Sequence, residues 1–136
     1  MKISPIVGWG LALALATASC APAAPLAGSE WQPTRIGGIE VPDGSQMFVG
    51  FGAEGNLVGH GGCNRFFGTY ELKGSRIEIG PLGATRMACP EAVMKLEARF
   101  QGALGTTRQF SRERIDLTLS DAAGVSLVRL RQADAD

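Results

Sequence analysis

Along much of the chain, apolar residues recur at every second position. Ile77 and Ile79 alternate with Arg76 and Glu78, and Ile115, Leu117 and Leu119 alternate with Asp116, Thr118 and Ser120. Alternation of this kind buries one face of a strand and leaves the other wet. Ser29 to Ile36, Gln46 to Phe51, Asn56 to Gly61, Phe66 to Leu72 and Arg76 to Ile79 read as short strands, separated by glycine-bearing turns at Gly37-Gly38, Gly52 to Gly55 and Lys73-Gly74. Pro33 has no N–H to give to a ladder, so the first strand must carry it at an edge or a bulge. Asp121 to Gly124 turns the chain into a last strand, Val125 to Arg131. Its facing is ambiguous, because Val125 and Leu127 point to one side and Val128 and Leu130 to the other.

One segment breaks the rhythm. Val93, Leu96, Phe100 and Leu104 fall at helical spacing and predict a helix over Pro90 to Leu104. Pro90 suits the first helical position, Glu91 complements the positive end of the helix dipole, and Gly102 and Gly105 are expected to loosen and end the helix. Many short strands and one helix predict an α+β domain, a meander of about seven to eight antiparallel strands with one helix.

The N-terminus follows a different pattern. Lys2 precedes an uncharged run from Ile6 to Ala16, long enough for a signal-peptide core and too short to span a bilayer. It leads to Thr17-Ala18-Ser19-Cys20, which resembles a bacterial lipobox, with Cys20 as the lipid-bearing mature N-terminus. Ala16-Thr17-Ala18 also reads as an ordinary A-x-A site, and cleavage after Ala18 would release a soluble periplasmic protein. If the lipobox holds, Ala21 rather than Asp after the cysteine points, by resemblance to other lipoproteins, to the outer membrane. The expected organisation is a signal over residues 1–20, an Ala/Pro-rich tether over 21–28 and one folded domain over 29–132.

Composition narrows the partners. Thirteen basic and thirteen acidic residues among 136 give no net charge, which argues against nucleic acid, whose phosphates demand a positive field. The membrane, through the anchor, and an envelope protein, lipid or glycan are the expected partners. The Arg-rich stretch of Arg108, Arg112, Arg114, Arg129 and Arg131, interleaved with Glu113 and Asp116, reads as a solvated outer face.

Two blocks carry a resemblance. Gly62-Cys63-Asn64-Arg65-Phe66-Phe67-Gly68-Thr69-Tyr70 and Thr85-Arg86-Met87-Ala88-Cys89 resemble the signature blocks of the META/HslJ domain family, found in bacterial envelope proteins. The resemblance continues through Met94, Glu97, Phe100 and Leu104 and covers roughly residues 29–131. It implies a strongly curved antiparallel β-sheet, like a small incomplete barrel, packed with one helix, and an envelope role in integrity, stress response or antibiotic tolerance. It implies no agreed biochemical activity.

Three cysteines divide into one lipid attachment and one pair, and an exported pair tends to close, so Cys63 and Cys89 are expected as a disulfide. Two buried free thiols are the alternative. A Cys63 nucleophile or metal ligand served by His60 and Asn64 is the ambitious reading, but His60, Cys63 and Cys89 make only three ligands without familiar spacing. Neither a metal nor a cofactor is expected. His60 reads as a solvent-facing turn residue, and Asn64 as part of a turn made by Gly59, Gly61 and Gly62. Phe66, Gly68 and Tyr70 share one strand face, with the glycine making room for a neighbour. Glu97 falls on the apolar helix stripe, where an unpaired carboxylate is costly; Arg65 and Arg86 are its candidate partners in a structural ion pair. The sequence predicts a non-enzymatic envelope protein that binds another envelope component, with a carrier of a lipid or small hydrophobic ligand, or a Cys63 thiol enzyme, as alternatives.

Overall fold

The computed structural model describes residues 26–133, together with Ile3, Pro5, Gly8, Gly10 and Ala12. Cys20, the other residues of the expected signal apart from those five, and residues 21–25 of the expected tether lie outside the described residues. Among the described residues, ten strands and one helix follow in order: β1 (Ser29–Ile36), β2 (Ile39–Glu40), β3 (Phe48–Phe51), β4 (Asn56–His60), β5 (Arg65–Lys73), β6 (Arg76–Ile79), β7 (Gly83–Ala84), α1 (Glu91–Thr106), β8 (Gln109–Glu113), β9 (Asp116–Ser120) and β10 (Ser126–Gln132).

Every pairing is antiparallel. Eight strands run β1-β3-β4-β5-β6-β8-β9-β10, and β10 returns to pair with β1. The sheet therefore closes, where the sequence pointed to an incomplete barrel. Closure comes from Trp31 to Ile36 lying beside Gln132 to Val128, and it removes the open edges that β1 and β10 would otherwise present. Pro33 is accommodated in this pairing, because the register of β1 on β10 shifts between Pro33 and Arg35. A second shift, between Ser126 and Val128, resolves the ambiguous facing of β10. Leu127 sits in the irregularity, and Val128 and Leu130 turn inward to complete burial.

Side chains fill the interior. Trp31, Phe51, Phe66, Phe100, Leu57, Leu104, Leu117 and Leu119 are almost wholly inaccessible and belong to one core cluster. An eight-stranded barrel is just wide enough for such a filling. Phe66 meets Phe100 edge-on at 5.7 Å between ring centroids, which fastens α1 to the sheet. The Trp31 ring is capped by Arg112, whose guanidinium carbon lies 4.9 Å from its centre.

α1 runs beyond its predicted end. Gly102 and Gly105 both lie inside it on its exposed side, where glycine weakens a helix without breaking it, and Thr107 ends it in extended conformation. Pro90 stands one position earlier than expected, at the N-cap, with ψ at 146°. Packed structure also starts before Ser29: Leu26 is fully buried, its carbonyl accepts from the Ser29 hydroxyl, and Gly28 N–H donates to the Phe51 carbonyl at 2.6 Å. The two-residue strands β2 and β7, and β8 with its mixed polarity, carry too little alternation to be seen in the sequence. No helix of the described residues is long and apolar enough to cross a membrane.

Candidate functional site

The family-block residues meet where β4, β5 and the start of α1 converge. Gly61 and Gly62 follow β4, and Gly62 adopts φ of +107°, which a side chain would strain. This turn aims the N–H groups of Cys63 and Asn64 at one point. Glu97, rising from α1, puts its carboxylate there: Oε2 accepts from Cys63 N–H at 3.0 Å and from Asn64 N–H at 2.6 Å, while Oε1 accepts from the Asn64 amide at 2.7 Å. A methyl group on Gly61 would stand 2.4 Å from Glu97 Cγ, so the close approach of helix and turn requires glycine there.

Asn64 is saturated on every side. Its Oδ1 accepts from Met87 N–H at 2.6 Å and from the Thr85 hydroxyl at 3.1 Å, and its Nδ2 also donates to the Met87 carbonyl at 3.3 Å. Its backbone carbonyl accepts from Gly61 N–H at 2.8 Å. The Thr85 hydroxyl in turn accepts from Arg65 N–H at 3.1 Å. Asn64 is thus a buried hub joining segments more than twenty residues apart, not the local turn residue the sequence suggested.

The ion pair expected for Glu97 is not formed. Arg65 and Arg86 are exposed, and among the described residues neither guanidinium has a hydrogen bond or ion pair. Two backbone amides and one side-chain amide do the work instead, because they are already fixed in place and cost no long side chain its freedom. Burial alone would raise the Glu97 pKa. The Asn64 and Cys63 donors outweigh it and hold the carboxyl below the ordinary glutamate range. His60 is half-buried rather than solvent-facing, and its Nδ1 accepts from Gly62 N–H at 3.0 Å.

Cys63 and Cys89 are joined by a disulfide across 26 positions, with Cα atoms 6.0 Å apart. The bond ties the Glu97 turn to the entrance of α1, and it leaves Cys63 no thiol to act as nucleophile. Among the described residues, no three His, Cys, Asp or Glu side chains gather as a metal site.

Further along β5, Phe66 and Tyr70 face the core, and the space beside Gly68 is taken by Leu82 and the Pro81 carbonyl. The Tyr70 hydroxyl donates to the Gly52 carbonyl, its ring meets Phe51 edge-on at 5.1 Å, and burial raises its pKa. Of Gly62, Asn64, Phe66, Gly68, Tyr70, Thr85 and Arg86, all but Arg86 therefore serve the hub, the turn that shapes it or the core.

The profile of the META domain matches residues 24–134 of the 136-residue chain. The chain belongs to the META domain family. Solved structures share the fold of this META domain. One, an NMR structure of a protein from Burkholderia xenovorans, is 23% identical with a TM-score of 0.65 and covers 80% of this chain and 84% of its own. Another NMR structure is 24% identical, with a TM-score of 0.63 over 79% of this chain and 91% of its own. A crystal structure of a DUF4847 family protein from Bacteroides vulgatus is 14% identical, with a TM-score of 0.58 over 82% and 96% of the two chains. No curated protein matches the chain.

Proposed function

We propose that this META domain is a non-catalytic envelope protein, moored through Cys20 to the outer membrane, that supports envelope integrity under stress by binding another envelope component. The observation that carries the reading is the Cys63–Cys89 disulfide, a bond that persists in oxidising compartments and is rare in the cytosol. The leader ending at Cys20 supports the same address. Glu97 and Asn64 have their hydrogen-bonding capacity committed to each other and to backbone, which suits bracing rather than proton transfer. The filled interior counts against the carrier alternative, since the core side chains occupy the space a ligand would need.

Fractionation of the native host with mass spectrometry of the mature N-terminus tests the address. The expected species begins at lipidated Cys20 in the outer-membrane fraction; a full-length cytosolic chain with reduced thiols overturns the reading. A strain lacking the chain should become more sensitive to detergent and bulky antibiotics, restored by wild type and weakly by Cys20→Ala. An unchanged barrier refutes the supporting role.

A further inference from the structure

We propose that the outer wall of β4 and β5 binds a carboxylated glycan, with Phe67 as the platform for a sugar ring and Arg65 and Arg86 as the partners of its carboxylates. This deepens the envelope-binding reading above and rests on it.

The wall is built by register. Val58 pairs with Phe67 and His60 with Arg65 across β4 and β5, and Gly83 of β7 pairs with Phe67 on the other side. Phe66 points inward, so Arg65, Phe67 and Thr69 all point outward. A methyl group on Gly83 would stand 2.6 Å from the Phe67 ring, which shows that the ring lies down over bare backbone instead of projecting. A methyl group on Gly50, beyond Val58, would meet only the Val58 side chain and carbonyl, at 3.4 and 3.6 Å. The result is a flat apolar ledge with Phe67 at 56% exposure and Val58 at 45%, bordered by Thr69, His60 and Arg65.

The charge beside this ledge is unspent. Arg65 and Arg86 have no side-chain partner among the described residues, and Thr85, whose N–H donates to the Arg65 carbonyl and whose hydroxyl accepts from Arg65 N–H, brings the backbone of Arg86 beside the start of β5. A guanidinium pairs bidentately with a carboxylate, and an aromatic face offers negative charge density to the C–H groups of a sugar ring. A carboxylated sugar satisfies both at once. A protein partner fits less well, because two exposed apolar side chains are small beside the roughly 800 Å² per partner of a stable interface. A bilayer also fits less well. Interfacial binding sinks an apolar surface about 5–10 Å into the headgroup region, whereas Phe67 lies against the sheet in mid-strand.

The test is titration of the purified chain with oligogalacturonate, with its fully methyl-esterified form and with phosphatidylglycerol vesicles as comparators. The wild type should bind the acid form at least tenfold more tightly than the ester, with affinity falling as salt rises. Phe67→Ala, Phe67→Leu and the pair Arg65→Gln/Arg86→Gln should each weaken binding at least tenfold, while Arg129→Gln/Arg131→Gln on β10 leaves it unchanged. Circular dichroism and thiol counting confirm that each variant is folded with its disulfide closed. Absence of binding to oligogalacturonate, equal binding by the variants, or binding to vesicles alone overturns the site. Retention on detergent-washed sacculi separates the two levels. If Phe67→Ala combined with Arg65→Gln/Arg86→Gln is retained like wild type, the wall is excluded and the envelope-binding reading stands; if wild type binds neither oligogalacturonate nor sacculi, both fall.

Discussion

At Glu97, three N–H donors converge on two carboxylate oxygens inside a 5%-exposed side chain. Replacing that acceptor by an amide turns one donor–acceptor contact into donor against donor. Glu97→Gln should therefore cost about 3 kcal/mol, the scale of hydrogen bonds to a charged group, measurable by urea unfolding. Asn64→Asp should cost more than Asn64→Ala, since it sets a second anion against the first. The depressed Glu97 pKa carries a pH dependence with a definite sign. The folded value lies below the unfolded one, so the contribution is complete above the ordinary glutamate range and is lost as pH falls through the folded value. Wild type should lose stability on acidification through that window, and Glu97→Gln should lose less; parallel pH profiles would refute the assignment. The need for a partner was legible from the position of Glu97 on the apolar stripe. The partner was not, because backbone N–H groups have no letter of their own. Gly61-Gly62 was the available clue, since glycines let successive amides turn toward one anion.

Among the elements, the strands with clean alternation were legible: β1 and β6 coincide with their predicted bounds. The two-residue strands were not, since pairing with β1 and β5 defines them. The disulfide joins the β4–β5 turn to the entry of α1, closing a loop of 26 positions. Replacing both cysteines by serine should lower stability by about 3–4 kcal/mol and speed hydrogen exchange at residues 85–90. Unchanged melting would show that the hub holds this corner by itself. Glycines rank by what a methyl would strike. Gly59→Ala meets the Phe48 carbonyl at 2.5 Å and the Phe66 ring at 2.2 Å, whereas Gly38→Ala meets nothing within 4 Å. The first should destabilise by about 3 kcal/mol and the second by less than about 0.5 kcal/mol, read from thermal unfolding.

On the scale of the molecule, closure of β10 on β1 is a long-range pairing that no local pattern encodes, and it makes one core out of both chain ends. Trp31 reports on that closure. In a chain beginning at Cys20 it is the sole tryptophan, so its emission should be blue-shifted and shielded from quenchers until the whole barrel opens. Arg112→Ala should shift this emission and cost about 1 kcal/mol, by removing the cation that roofs the ring.

The burial of Leu26 beside the start of β1 sets a leash. Between it and Cys20 stand only residues 21–25, and a fully extended chain advances at most about 3.6 Å per residue. If Cys20 carries the proposed lipid, the barrel hovers within roughly 20 Å of its membrane. Under that anchoring, whatever the barrel grips would have to come to that surface, because so short a cable could not carry the barrel across the periplasm to meet it.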